Sequence, residues 1–264
     1  MKPLSAWPQS ARANIVGVFT DIDDTLTTEG AITADALQAL HDLQAAGLMV
    51  IPITGRPVGW SIPFASTWPV NAMVAENGAV ALLHNPETKQ VNKIYQQDLA
   101  TRTRNFQEMQ RIAQRVLQEI PGTVMAQDSP GRETDIAFDH SEFHHLSQEQ
   151  IQQVLTLLKE EGMTATVSSI HINAWWGAHN KLTGARWIVR ERWGRDLDAE
   201  IARWVFVGDS SNDQVMFEHF PNSVGVANIR HFEHQLRCAP RFITPSERGV
   251  GFAEMTHHLL KHRL

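Results

Sequence analysis

Ile15-Val16-Gly17-Val18-Phe19-Thr20-Asp21-Ile22-Asp23-Asp24-Thr25 is an apolar run that stops abruptly in acid. A short continuous run such as 15–19 reads as a strand buried on both faces, the kind found in parallel sheets. Its carboxylates then sit at the strand's C-terminal end, where open α/β sheets collect ligands. Working outward, residues 34–46 place Leu37, Leu40 and Leu43 on one helical face, and Gly47 can end that helix. Residues 48–53 form a second buried run, ending at Thr54-Gly55-Arg56. Strand, helix, strand is the parallel crossover unit, so the expected fold is a doubly wound α/β sheet.

The pattern then changes. Two short apolar runs, 71–75 and 79–83, flank Glu76-Asn77-Gly78, and Asn-Gly is a tight-turn signal that predicts a hairpin. A polar amphipathic helix is expected over 101–120, followed by strands at 123–126 and 134–138. A second helix over 148–161 is followed by strands at 164–168 and 170–175. Helix then two strands, twice over, suggests an α+β insert with an antiparallel sheet. The α/β grammar resumes at 181–193, a helix with Leu182, Ala185, Ile188 and Val189 inward, and at the buried strand 204–207, which ends in Gly208-Asp209. Late strands are expected at 221–226 and 241–243, with a closing helix over 251–260. The expected domains are a split core, 1–84 and 181–264, around an insert at 85–180.

Composition narrows the possible functions. The 264 residues are 42% hydrophobic and 20% charged, ordinary for a globular chain with a sizeable core. A net charge of -6, with acids and bases mixed, argues against nucleic acid as a partner. An anionic small molecule stays possible, because a bound metal can reverse the local field. The one cysteine, Cys238, can form no internal disulfide, so a reducing cytoplasm is the expected location. Residues 1–14 show no secretory pattern. No apolar stretch approaches the roughly 20 residues a membrane span needs, so no membrane partner is expected.

Reactive groups gather where strands end. Asp21 and Asp23, at i and i+2 after a strand, can share one pocket if the chain turns at once. One carboxylate can attack phosphorus, and the other can protonate the leaving alkoxide and then activate water. A calcium loop starting at Asp21 would need Gly and Glu at its sixth and twelfth positions, where Leu26 and Ile32 stand. Thr54 and the Gly55 backbone can hold phosphoryl oxygens. Lys181, where the chain re-enters the core, can neutralise carboxylate and phosphate together. In Gly208-Asp209-Ser210-Ser211-Asn212-Asp213 the two acids stand four residues apart, spacing for a magnesium ligand and its outer support. Each feature read alone is also compatible with an acidic turn, a strand-ending Thr-Gly turn, a surface lysine or a capped helix start.

In this order, the four features resemble the active-site motifs of the haloacid dehalogenase (HAD) superfamily phosphatases. The position of the insert, between Thr54 and Lys181, resembles the C2 cap class, and its repeated helix-strand-strand pattern the type IIB cap of sugar-phosphate phosphatases and Cof-like hydrolases. The resemblance implies a Rossmann-like core and an aspartyl-phosphate intermediate. It implies Asp21 as nucleophile and Asp23 as general acid/base. Mg²⁺ would be held by Asp21, the Asp23 backbone carbonyl and Asp209, with Asp213 behind. Thr54, Gly55, Lys181 and Asn212 would hold phosphate. Asp24 departs from the pattern, since many relatives have Gly there.

The partner expected is therefore a small phosphorylated molecule, and cap type together with Trp, His and Asn content suggests a sugar phosphate. Candidate substrate contacts are His171, Asn173 and Trp175, which lead into Lys181, with Glu76, Asn77 and Arg56 on the core. Trp175 and Trp176 could equally pack within the insert, and Arg56 could equally be a structural ion pair. His144-His145 and His257-His258 lack metal-ligand spacing and read as surface. Two other readings stay open: a phosphosugar mutase using the same intermediate, and a non-catalytic phosphosugar-binding protein. Oligomeric state is not legible.

Overall fold

In the computed structural model, which describes residues 1–261, the chain opens with β1 (Lys2–Pro3) and the short α1 (Gln9–Ala13). The apolar run becomes β2 (Gly17–Thr20), and a small hairpin follows, β3 (Thr27–Thr28) and β4 (Ala31–Ile32). Its two turn residues, Glu29 and Gly30, have φ of 51° and 79°, the doubly left-handed pattern that suits a two-residue hairpin loop. Helix α2 (Ala34–Ala45) ends just before Gly47, and β5 (Met49–Pro52) completes the crossover. The next helix, α3 (Val58–Thr67), carries Pro63 inside it, and that breaker signal hid it from sequence reading.

The hairpin expected around Asn-Gly forms as β6 (Met73–Ala75) and β7 (Val80–Asn85), with β8 (Gln90–Tyr95) added. β8 pairs with β7 along its whole length, from Val80 opposite Tyr95 to Asn85 opposite Gln90. The expected boundary at 84/85 thus falls inside a hairpin. The extra strand stays with the core, because a parallel bridge from Ile53 to Val74 ties its sheet to the β5 edge.

The insert begins with α4 (Leu99–Glu119), capped by Asp98, and continues through β9 (Ile136–Asp139), α5 (Gln148–Glu160), β10 (Thr164–Val167) and β11 (His171–Trp175). Its antiparallel sheet has the order β10-β11-β9. The strand expected at 123–126 shrinks to one bridge, Met125 to Phe138. The apolar faces of α4 and α5 bury Met109, Ile112, Val116, Val154 and Leu158 against Phe138, Ile172 and Ala174 of the sheet.

The chain then returns through α6 (Lys181–Trp193), β12 (Trp204–Gly208), α7 (Gln214–His219), β13 (Asn222–Gly225), β14 (Phe242–Ile243) and α8 (Arg248–Leu260). The core sheet is entirely parallel, in the order β1-β14-β13-β12-β2-β5. Successive residues feed opposite faces: Val18, Val50 and Val205 pack with Leu40 and Phe252, while Phe19, Ile51 and Phe206 pack with Leu182 and Phe217. Truncating a buried Phe such as Phe19 to Ala would cost about 3–5 kcal/mol. Both faces are covered, as a doubly wound sheet requires. Among the described residues, no helix is long and apolar enough to cross a membrane.

Candidate active site

The chain turns as soon as β2 ends. The Asp21 N–H still donates to Val207 O at 2.8 Å, but the Ile22 carbonyl then accepts from Thr25, Leu26 and Thr27, and Asp24 sits at φ 55°. This tight reversal keeps Asp21 at the strand end. Opposite it, Lys181 starts α6, whose cap Asn180 accepts from Thr183 N–H. The tip of the β6–β7 hairpin presses on this helix start: a Cβ on Gly78 would lie 2.4 Å from Asn180 O, and one on Gly184 would lie 2.6 Å from Gly78 Cα. Only glycine at both positions lets backbone meet backbone there.

Lys181 is buried, and its Nζ donates to Asp21 Oδ1 and Asp213 Oδ1, each at 2.7 Å. Asp213 uses its other oxygen to accept the Asp209 and Ser210 N–H groups, at 3.0 and 3.3 Å. Asp209 is oriented by Thr25 Oγ1 at 3.3 Å and Asn228 Nδ2 at 3.1 Å. Oxygens of Asp21, Asp209 and Asp213 converge to within 4.8 Å of one another. Burial pushes the Asp21 carboxyl above its ordinary range; Lys181 opposes this, and Asp213 and Asp23 add to it. Asp209 is pushed well above its range by burial and by Asp21 and Asp213. Burial acts to lower the Lys181 ammonium, yet Asp21 and Asp213 hold it above its usual value.

Three converging carboxylates around one ammonium are short of positive charge, and all their ligand atoms are oxygens. That is the donor set of a hard divalent cation such as Mg²⁺. The residues present therefore fit the metal that the sequence pattern implies.

Asp23 lies elsewhere. Its carboxylate receives the Arg56 guanidinium through Nε at 3.0 Å and Nη2 at 2.9 Å. Arg56 also reaches the insert, donating to Glu142 Oε1 at 2.7 Å and Asp128 Oδ2 at 3.2 Å. His171 Nε2 lies 2.8 Å from Glu142 Oε2, so Asp23, Arg56, Glu142 and His171 form one chain of contacts from core to insert. Burial raises the Glu142 carboxyl, but His171 and Arg56 outweigh it and hold the group at about 2. Arg56, expected either to bridge to substrate or to form an ion pair, here forms ion pairs.

The remaining candidates divide. Thr54 is fully buried, and its hydroxyl accepts Arg56 N–H at 3.0 Å. The Gly55 carbonyl accepts from Arg132 Nη1 at 3.0 Å and Asn173 Nδ2 at 3.2 Å, both from the insert. A Cβ on Gly55 would crowd Asn173 and Asn77 at 3.2 and 3.3 Å. Asn77 and Asn173 both donate to Asp135, whose carboxyl burial raises to about 7 despite Arg132. Glu76 is fully buried: its oxygens accept Val58 N–H, Glu133 N–H, Thr134 N–H and the Thr134 hydroxyl. It clamps the insert to the core and has no exposed surface to offer a substrate. Trp175 packs with the insert's apolar core, donates its indole N–H to His179 O at 2.9 Å, and also lines the cavity that carries Lys181. Asn212 accepts the Ser210 hydroxyl at 2.8 Å and lines a cavity shared with Lys181.

Residues 18–171 match the haloacid dehalogenase-like hydrolase family, more than half of the 264 residues. The chain belongs to that family. The hydrolase also shares its fold with solved structures across nearly its whole length. A Thermoplasma acidophilum protein superposes with a TM-score of 0.71 at 16% identity, covering 93% of this chain and 98% of that chain. The sucrose-phosphatase of Synechocystis sp. PCC6803 gives 0.64 at 17% identity, covering 92% and 97%. A sugar phosphatase of HAD subclass IIB gives 0.62 at 16% identity, covering 93% and 98%. No curated protein matches the chain in sequence.

Sequence reading missed Asp128, Arg132, Asp135 and Glu142 on the insert and Asn228 and Arg248 on the core. None lies in a motif; the first four take their partners where the insert meets the core, and Asn228 and Arg248 reach Asp209 and Asp24 from other parts of the core. One local signal did exist: Asp139 accepts N–H donors from Ser141, Glu142 and Phe143, an Asx-type turn that positions Glu142.

Proposed function

We propose that this hydrolase is a magnesium-dependent phosphatase that cleaves a sugar phosphate or related phosphomonoester through an aspartyl-phosphate on Asp21. The observation that carries the reading is Asp21 itself, a buried carboxylate fixed by Lys181 at 2.7 Å beside two further converging carboxylates. The fold shared with sucrose-phosphatase and a subclass IIB sugar phosphatase supports the substrate class.

In the first step an Asp21 oxygen attacks phosphorus, and the bond to the leaving oxygen breaks as the acyl phosphate forms. Lys181 keeps Asp21 oriented and offsets the charge growing on the phosphoryl oxygens; Thr54, the Gly55 N–H and Asn212 hold them. Asp23 gives its proton to the leaving alkoxide, then takes one from the water that cleaves the acyl phosphate and restores Asp21. Both Asp23 oxygens are engaged by Arg56, so Arg56 must yield and the Asp23 carboxylate take up a proton from solvent before it can pass one to the leaving oxygen. Asp21, Asp209 and the Asp23 carbonyl would hold Mg²⁺, with Asp213 in support, and the ion supplies positive charge to the phosphoryl group.

The test is release of inorganic phosphate from an aryl phosphate and a panel of sugar phosphates, with magnesium or with chelator. Magnesium-dependent release that Asp21→Asn abolishes is the expected result. Activity that survives Asp21→Asn would remove Asp21 from the chemistry.

A further inference from the structure

Two cavities open beside the site, one on Lys181 and the other on Asp23, and they differ in charge. The larger, about 710 Å³, is lined by Lys181 and Asn212, with Lys159 and Arg237 outnumbering the one acid, Glu218. The smaller, about 350 Å³, is lined by Asp23 together with the β3–β4 turn and the insert loop at Ser141–Phe143. Four carboxylates line the smaller one, Asp23, Asp24, Glu29 and Glu142, against two guanidiniums, Arg56 and Arg248. Both cations are already engaged, Arg56 with Asp23 and Glu142 and Arg248 with Asp24 at 3.1 Å. Glu29 is exposed at the tip of its turn. Ile170 and Phe143, which is 65% exposed, add apolar surface.

We infer that this smaller cavity seats the leaving group, and that it selects the monophosphate of an uncharged polyol over one bearing a second anion. The inference rests on the phosphatase reading. A proton donor must lie within hydrogen-bond reach of the leaving oxygen, and Asp23 opens on the smaller cavity, not the larger. The volume accommodates a sugar-sized group. The lining offers carboxylate and hydroxyl acceptors for its O–H groups and an aromatic face for its C–H side. A carboxylate or second phosphate placed there would meet uncompensated negative charge from Glu29 and from Asp23 and Glu142, which share the one Arg56 guanidinium. Asp24, the departure from the family pattern, thereby acquires a role as a wall of this cavity. The same charge disfavours a mutase, whose bisphosphate would have to lodge its second phosphate in this cavity.

The experiment compares kcat/KM for glucitol 6-phosphate and 6-phosphogluconate, which differ in one end group, CH₂OH against carboxylate. An aryl phosphate is run in parallel. The wild type should favour the neutral member by about tenfold or more, and the preference should shrink at high salt. Glu29→Lys should lower the ratio about tenfold and Asp24→Asn about fivefold, whereas Lys159→Ala should leave it in place. Hydrolysis of the aryl phosphate with no preference between the matched pair overturns the inference and leaves the phosphatase reading standing. A ratio that moves with Lys159→Ala and not with Glu29→Lys puts the leaving group in the larger cavity and also overturns it. Failure to hydrolyse any of the three esters removes the phosphatase reading and this inference with it.

Discussion

The strand ends of the core and the join between core and insert are both buried and both rich in charge, but they arrange it in opposite ways. At the strand ends, Asp21, Asp209 and Asp213 point at one another, and the one ammonium, that of Lys181, pairs with Asp21 and Asp213. At the join, Asp23, Asp128 and Glu142 radiate around one guanidinium, that of Arg56, and Arg132 binds Asp128 and Asp135. Converging carboxylates raise one another's energy, and on the proposed function that convergence would hold a cation and a nucleophile. A guanidinium ringed by carboxylates instead holds two layers together. Removing a charge should therefore act in opposite directions in the two places.

The largest effect falls on the strand ends. Asp21→Asn should lower turnover by about 10⁴-fold or more, because in the proposed mechanism Asp21 forms the acyl phosphate. In chelator, the same substitution should raise stability by about 1–2 kcal/mol, since it removes one of three crowded charges and keeps an oxygen for Lys181. Chemical denaturation of both proteins in chelator measures this. A destabilised Asp21→Asn protein would break the comparison, by showing that the Lys181 pair outweighs the crowding.

At the join the expected sign is reversed. Arg56→Met leaves Asp23, Asp128 and Glu142 facing each other with their common cation gone, and stability should fall by about 3–5 kcal/mol. Arg56→Lys should recover only part of this, because one ammonium cannot reproduce the fork that engages Asp23 through Nε and Nη2. Equal stability of Arg56→Met and wild type would mean that the other contacts, those of Glu76, Asn77 with Asp135, and Arg132 and Asn173 with Gly55, hold the insert without Arg56.

The same contrast governs what could be read from sequence. The parallel core announced itself, because strands buried on both faces are continuous apolar runs, and the acids that end them are contiguous with those runs. Pattern alone thus places Asp21, Thr54, Lys181 and Asp209 at strand ends or helix starts. The join is different in kind. Glu142 follows an Asx-type turn in an irregular loop, Asp128 precedes a 3₁₀ turn, and their partner Arg56 stands 72 and 86 residues away in sequence. No periodicity encodes pairings at that separation. Glu76 and Trp175 stood in segments that face the site, and segment-level reading could not say that Glu76 would take backbone donors or that Trp175 would turn into the insert core. At β8 local reading stopped one strand early: the expected boundary at 84/85 falls where β7 turns back into β8, a pairing that runs from Asn85 opposite Gln90 to Val80 opposite Tyr95.

The smallest effect sharpens the comparison through pH. Glu142 is held at about 2 in the folded protein by His171 and Arg56, against an ordinary value of 4.5. A carboxyl whose folded value is depressed contributes stability that is complete above its unfolded value and disappears as pH falls through the folded one. The contribution of Glu142 should therefore be full above about pH 4.5 and gone near pH 2. Because the group is only partly buried, Glu142→Gln should cost about 1–2 kcal/mol at pH 7, less than the depressed value alone would suggest. Thermal melts of the two proteins at pH 7, 4.5 and 3 should converge as the pH falls. A gap that persists unchanged at pH 3 would show that Glu142 acts by packing and neutral hydrogen bonds, and that the join owes its strength to shape more than to the guanidinium at its centre.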